Sequence, residues 1–285
     1  MDRLIGAHLS TSGGYAKALE GIELREGNCL QIFSSSPRTW ASATPSVDSI
    51  TQFTKLKSAM RIDPVYFHAN YLINLADPET TGEKSVLALI QELHLAHQMS
   101  VKGSIVHTGS FKNKNVTRSL REHPNYPVLM GNIQKVLAQT PEDTYVILEN
   151  AGTRKIGETI DQLGEIIHDI NNPRLKICLD TCHLHAAGYA LTSQHEFDSF
   201  LTRFDKLIGM DQLELIHMND SRDSAGSLRD RHENIGQGFV NPHMFQFFLN
   251  DKRTRRVPVI LETPGFDGNG PDKKNIDILK SFITE

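Results

Sequence analysis

The sequence predicts a closed (β/α)8 barrel made by a single domain over residues 1–285, and three observations carry that expectation. Eight short apolar or β-branched runs recur along the chain, stretches of helical period separate them, and no linker or shift in composition divides them. The runs are RLIGAHLS (3–10), CLQIFSS (29–35), PVYFHANYL (64–72), SIVHTGS (104–110), YVILENA (145–151), KICLDTCH (176–183), LELIHMND (213–220) and PVILETP (258–264). Their starts lie 26 to 45 residues apart, room in each gap for a helix and two turns. Helix-period stretches such as 46–60 and 83–99 fill those gaps, with Ser46 or Asp48 placed to cap one start and Thr140 followed by Pro141 closing another. Parallel strands need helical crossovers, and pairing the eighth run with the first leaves no open edge. A doubly wound open sheet is the alternative. In a barrel, functional side chains gather at the C-terminal ends of the strands and in the loops that follow, and the longest loops here follow the fourth, seventh and eighth runs.

Composition narrows the function classes. Of 285 residues, 39% are hydrophobic and 22% charged, which is the balance of an ordinary globular chain. No apolar run approaches the roughly 18 residues that would span a bilayer. With 30 Lys and Arg against 34 Asp and Glu, the formal charge is −4, so a polyanionic partner must be held by a local patch or by bound cations. The three cysteines (Cys29, Cys178, Cys182) lie in apolar runs, and the pair spaced C-x3-C has no second pair to complete a zinc site, so they read as buried reduced thiols. The opening MDRLIGAHLS lacks the basic and long apolar regions of a signal peptide, which makes a cytoplasmic location the expectation.

Histidine is over-represented, with 13 residues, and its placement is informative. The third run carries His68, the fourth His107, the fifth Glu149, the sixth Asp180 and His183, the seventh His217 and the eighth Glu262; the loop after the seventh adds Asp230 and His232. A lone histidine in an apolar strand is ordinarily a hydrogen-bonded core residue. Six consecutive runs ending in potential ligands are different, because carboxylates at the ends of such apolar runs are costly to bury unless a cation settles them. Nine nitrogen and oxygen donors exceed the four of one zinc, so two or three metals are expected, with a carboxylate bridging at least one pair. The donor types favour zinc, with manganese or iron as alternatives. Four carboxylates and three divalent ions would leave about +2 in the pocket, enough to attract a phosphate despite the acidic total.

These blocks resemble the endonuclease IV family of apurinic/apyrimidinic DNA repair nucleases along the whole chain: IGAHLS with SGG at 12–14, HANYLINLA from His68, LEN around Glu149, LDTCH-x-x-AAGY at 179–189, HMNDS from His217, DRHENIGQG from Asp230 and LETP around Glu262. The resemblance implies a barrel with three zinc ions: one on His68, His107 and Glu149, a second on Glu149, Asp180, His217 and Glu262, and a third on His183, Asp230 and His232. It also implies that Arg38, in the SPRTW loop, and Tyr71, joined by Leu72, enter the duplex at the damaged nucleotide. The family's usual H-P-G-S-H after the fourth strand is HTGSF here, with Thr108 and Phe111 at the Pro and second His, and the loop AGTRKIGE (151–158) puts Thr153, Arg154 and Lys155 where glycine and glutamine are usual.

The implied activity is hydrolysis of the phosphodiester 5′ to an abasic nucleotide in double-stranded DNA by a metal-activated hydroxide oriented by Glu149, leaving a 3′-hydroxyl and a 5′-deoxyribose phosphate. An abasic nucleotide costs less to extrude than a normal one because it has no base to unstack. Lys112, Lys114, Arg118, Arg154, Arg222, Arg229 and Arg231 are candidates for phosphate contacts. A monomer without a nucleotide cofactor or membrane partner is expected. The alternatives are a metal-dependent sugar isomerase or epimerase of the xylose-isomerase-like barrels, which leaves five of the nine donors unexplained, and a non-catalytic binder of abasic DNA. The DGNG segment from Asp267 lacks the glutamate of a calcium loop and reads as a turn.

Overall fold

The computed structural model describes residues 3–112 and 119–284. Eight parallel strands close a barrel: β1 (Ile5–Leu9), β2 (Cys29–Phe33), β3 (Val65–His68), β4 (Gly103–Val106), β5 (Tyr145–Glu149), β6 (Leu175–Asp180), β7 (Leu213–His217) and β10 (Val259–Leu261). Around it run α1 (Tyr15–Leu24), α2 (Val47–Met60), α3 (Thr80–Gln98), α4 (Tyr126–Ala138), α5 (Ile160–Ile170), α7 (Gln194–Leu207), α8 (Pro242–Asn250) and α9 (Lys273–Ser281). The barrel closes where β1 meets β10, with Ile5 opposite Val259 and Ala7 opposite Leu261. The open-sheet alternative is thereby excluded. Among the described residues no helix is long and apolar enough to cross a membrane.

Side-chain chemistry sets the helix starts. The Ser46 hydroxyl accepts from the Ser49 N–H at 3.2 Å, and Thr159 and Asp272 cap α5 and α9 in the same way. Ser193 and Glu196 form a reciprocal capping box on α7. Two buried layers result. The larger lies between strands and helices, with Leu19, Phe53, Leu93, Ile133, Leu163, Phe204 and Phe248 among its members. The smaller fills the barrel itself and takes one residue from each of seven strands: Cys29, Tyr66, Ile105, Ile147, Cys178, Leu215 and Ile260.

That inner layer positions the site. Side chains alternate along a strand, so the residue two further on faces the same way, toward the barrel axis and one step nearer the C-terminal mouth. Two residues beyond the seven floor residues stand Gln31, His68, His107, Glu149, Asp180, His217 and Glu262; on β1 the corresponding step runs from Gly6 to His8.

Several runs are shorter as strands than the sequence suggests. The third ends at His68, and Tyr71 and Leu72 belong to the turns that follow. The sixth ends at Asp180 because that carboxylate takes the His183 N–H at 2.9 Å and caps α6 (Thr181–Ala186), so His183 sits on a helix rather than on the strand. The loop expected after β7 contains a two-stranded antiparallel ribbon, β8 (Asp220–Ser221) and β9 (His232–Glu233). Asp220 organises it, accepting from the N–H groups of Ser221, Gly236, Gly238 and Val240 at 2.7–3.0 Å.

At Gly6 an added Cβ would lie 1.8 Å from the Cys29 carbonyl oxygen, inside the paired edge of β1 and β2. Gly6→Ala is therefore expected to cost about 1–3 kcal/mol or more through overpacking, read as a lowered urea midpoint at unchanged m-value. An unchanged midpoint would show that the β1–β2 pair yields without penalty.

Candidate metal centre

Each of the three ligand sets expected from the sequence is brought together: His68, His107 and Glu149; Glu149, Asp180, His217 and Glu262; and His183, Asp230 and His232. Within each set, one donor atom per residue lies within 4.8 Å of the others. Glu149 stands between the sets. Its Oε2 is 3.3 Å from Nε2 of both His68 and His107, and its Oε1 is 3.1 Å from His217 Nδ1 and 3.3 Å from His183 Nδ1. The third set closes across the ribbon, where Asp230 Oδ1 is 3.0 Å from His183 Nε2 and 3.4 Å from His232 Nε2.

Backbone carbonyls and amides fix which nitrogen each imidazole presents. His68 donates Nδ1–H to the Ala69 carbonyl at 2.8 Å, His183 donates Nδ1–H to Asn150 O at 2.9 Å, and His232 donates Nδ1–H to Glu262 O at 3.2 Å. Each keeps Nε2 as the lone-pair nitrogen, turned toward the cluster. His183 Nε2 and His232 Nε2 are buried and face the same carboxylate oxygen, Asp230 Oδ1, the arrangement of nitrogens that share a cation with a carboxylate. Asp180 is held by Asn219 Nδ2 at 2.7 Å and by Asn150, which takes the Asp180 N–H at 2.6 Å. The donors thus fit a group of divalent metal ions.

Burial and the neighbouring charges oppose one another within the cluster. Burial alone would raise the Glu149 carboxyl, but the imidazoles of His107, His217 and His183 outweigh it and hold the group well below the usual carboxylate range. Burial pushes His107 down to about 4, so that ring is neutral and available as a ligand. The thiols of Cys178 and Cys182 lie beside the second and third sets, yet burial pushes both up to about 12 and keeps them as neutral packing groups.

The cluster opens into a cleft of about 510 Å³ walled by His8, Phe33, Tyr71, Thr263 and Pro271 as well as by six of the donors, with Glu149, Asp180 and His217 outside its lining. Tyr71 is 62% exposed, and its ring stands edge-on to Phe33 at 5.5 Å. Its N–H donates to the Pro37 carbonyl at 3.0 Å, which ties the turn bearing Tyr71 and Leu72 to the exposed turn bearing Arg38. Leu72 is 36% exposed beside a second cavity of about 390 Å³ shared with Lys155.

Several expected phosphate contacts are already engaged within the protein. Arg222 pairs with Glu233 at 3.2 Å, Arg229 and Arg231 both pair with Asp223, and Lys112 pairs with Asp77. The acidic residues interleaved in that loop take up its cations. Arg154 and Lys155 are exposed, whereas Lys114 and Arg118 lie outside the described residues. The sequence reading passed over His8, Gln31, Asn150 and Asn219, all of which contact ligand residues or their neighbours. Aligning the eight runs on their inner-layer residues would have marked His8 and Gln31.

The chain matches the family model of xylose isomerase-like TIM barrels over residues 21–282, which sets its class. It is 34% identical over 268 residues to the probable endonuclease 4 of Thermosipho melanesiensis, covering 92% of each chain. The crystal structure of endonuclease IV from Thermus thermophilus superposes with a TM-score of 0.84 at 29% identity, covering 99% of this chain and 98% of that one. Within the class, the chain belongs to the endonuclease IV family. An Escherichia coli 3-keto-D-glucoside 4-epimerase, with a TM-score of 0.69 at 14% identity over 98% of this chain and 100% of its own, shares the fold alone.

His107→Ala is expected to lower the tightly held divalent metal by one equivalent, measured by elemental analysis after gel filtration. Wild-type metal content in that variant would remove His107 from the ligands.

Proposed function

We propose that this protein is a metal-dependent nuclease that hydrolyses the phosphodiester on the 5′ side of abasic nucleotides in duplex DNA. The observation that carries the reading is the convergence of nine donors into three sets around Glu149 at the barrel mouth. A sugar isomerase or epimerase would use Glu149, Asp180, His217 and Glu262, and would leave His68, His107, His183, Asp230 and His232 without a role. Three zinc ions would be held by the three sets; when bound, they supply acidification of water and neutralisation of phosphate charge.

The residues of the chain do the rest. Glu149, between all three sets, would orient the attacking water toward phosphorus. The water gives up a proton as its oxygen adds to phosphorus, the P–O3′ bond breaks, and the departing oxygen takes a proton from solvent to leave as a 3′-hydroxyl. The cleft walls would admit a sugar phosphate without a base, while Arg38, Tyr71 and Leu72 fill the gap left in the duplex as wedge residues do. Because an abasic nucleotide has no stacking to lose, its extrusion is cheaper than that of an intact one. Arg154 and Lys155 would contact phosphates without reading sequence.

The test is a labelled duplex carrying one reduced, elimination-resistant abasic analogue, incubated with purified protein in EDTA without magnesium. Cleavage on the 5′ side with a 3′-hydroxyl end is expected. Binding without cleavage in metal-replete buffer would make the protein a damage binder, and neither binding nor cleavage would return the isomerase reading. Tyr71→Ala is expected to lose about tenfold in preference for abasic over intact duplex, or 1.4 kcal/mol, at unchanged metal content. Loss of metal in that variant would instead make Tyr71 a structural residue.

A further inference from the structure

One fully buried amide outside the three ligand sets touches two members of the middle one. Gln31 of β2 is 0% exposed, and both ends of its side chain are engaged. Its Oε1 lies 2.6 Å from His217 Nε2, while its Nε2 lies 2.7 Å from Glu262 Oε1 and 2.7 Å from His8 Nδ1. His8 Nδ1 is itself 3.2 Å from the same Glu262 oxygen. An amide has fixed polarity: its oxygen only accepts, and its nitrogen carries two hydrogens to donate.

That polarity has two effects in the middle set. The acceptor end places the His217 proton on Nε2, so the lone pair is on Nδ1, the nitrogen 3.1 Å from Glu149 Oε1 and 3.3 Å from Glu262 Oε2. The donor end engages Glu262 Oε1 and leaves Oε2 as the oxygen beside His217. We infer that Gln31 is a positioning residue of the middle metal site, selecting the tautomer of one ligand and the presenting oxygen of another, with His8 Nδ1 accepting the second amide hydrogen and so holding the Gln31 nitrogen in place. The inference rests on the reading that this set holds a divalent metal. A buried amide at the centre of a barrel is costly unless every group finds a partner, and here the partners on both sides are ligand residues or His8.

The experiment compares the full-length wild type with Gln31→Met, which keeps the length and removes both polar groups, and with His8→Phe, which keeps an aromatic ring against Phe33. Each protein is stripped, reloaded with Zn2+, and its metal release to a chelator followed in time. Co2+ loading then gives the visible spectrum, and thermal unfolding of the metal-free proteins checks the fold. The expected result is three equivalents in the wild type and, in Gln31→Met, one equivalent held about 10- to 100-fold more weakly with the other two unchanged. The Co2+ bands of that one site should shift. His8→Phe should loosen the same equivalent by a smaller factor, and it carries the test alone if Gln31→Met does not fold. Wild-type release from both variants, or uniform loosening of all three equivalents with a lowered metal-free unfolding temperature, overturns the inference. A wild type that retains no metal overturns the metal-centre reading itself, and the two failures are told apart by the wild type alone.

Discussion

The two-residue pleat of a strand, closed into a barrel, is the constraint on which the rest of this structure depends. It stacks a sealed apolar floor of Cys29, Tyr66, Ile105, Ile147, Cys178, Leu215 and Ile260 directly beneath a ring of polar side chains. The floor keeps water from reaching the ring from below, so its charges can be compensated only by one another, by protein dipoles or by an ion. Asp180 and Glu149 are 0% and 1% exposed, a burial that isolated carboxylates do not tolerate.

Around that ring the protein spends hydrogen bonds on orientation. His68, His183 and His232 are each anchored through Nδ1 to a carbonyl, and His217 is anchored through Nε2 to an amide. Asn219 holds the Asp180 carboxylate with its nitrogen and the Glu262 N–H with its oxygen, joining two strands through one side chain. The donors are therefore prearranged by rigid elements. Asp230 and His232 are the exception, since they come from a loop and its short ribbon, and there the four amide contacts of Asp220 supply the rigidity that a barrel strand supplies elsewhere.

The barrel was legible because its eight runs are apolar, short and evenly interrupted, and seven of the nine candidate ligands were legible as polar residues ending such runs. Other features were hidden for identifiable reasons. His183 reads as the end of a strand because LDTCH is apolar enough to continue one, and only the cap made by the Asp180 carboxylate turns the chain into α6. His8 and Gln31 look like ordinary polar residues in their own runs, and their meaning comes from register with six other strands. Arg222, Arg229 and Arg231 look like free cations because the sequence does not show that the ribbon folds Glu233 and Asp223 against them.

The closure of β1 on β10 also bears on when the site becomes complete. The donors are drawn from elements and loops between His68 and Glu262, and the last barrel strand both leads directly into Glu262 and seals the barrel against β1. Contacts of such sequence separation form late, after the loop-closure entropy of a long chain has been overcome. A metal ion would therefore find the middle set complete only once Glu262 has been brought beside His217 and Glu149. Retention of a metal by the middle set would then report that β10 has paired with β1 in the native register.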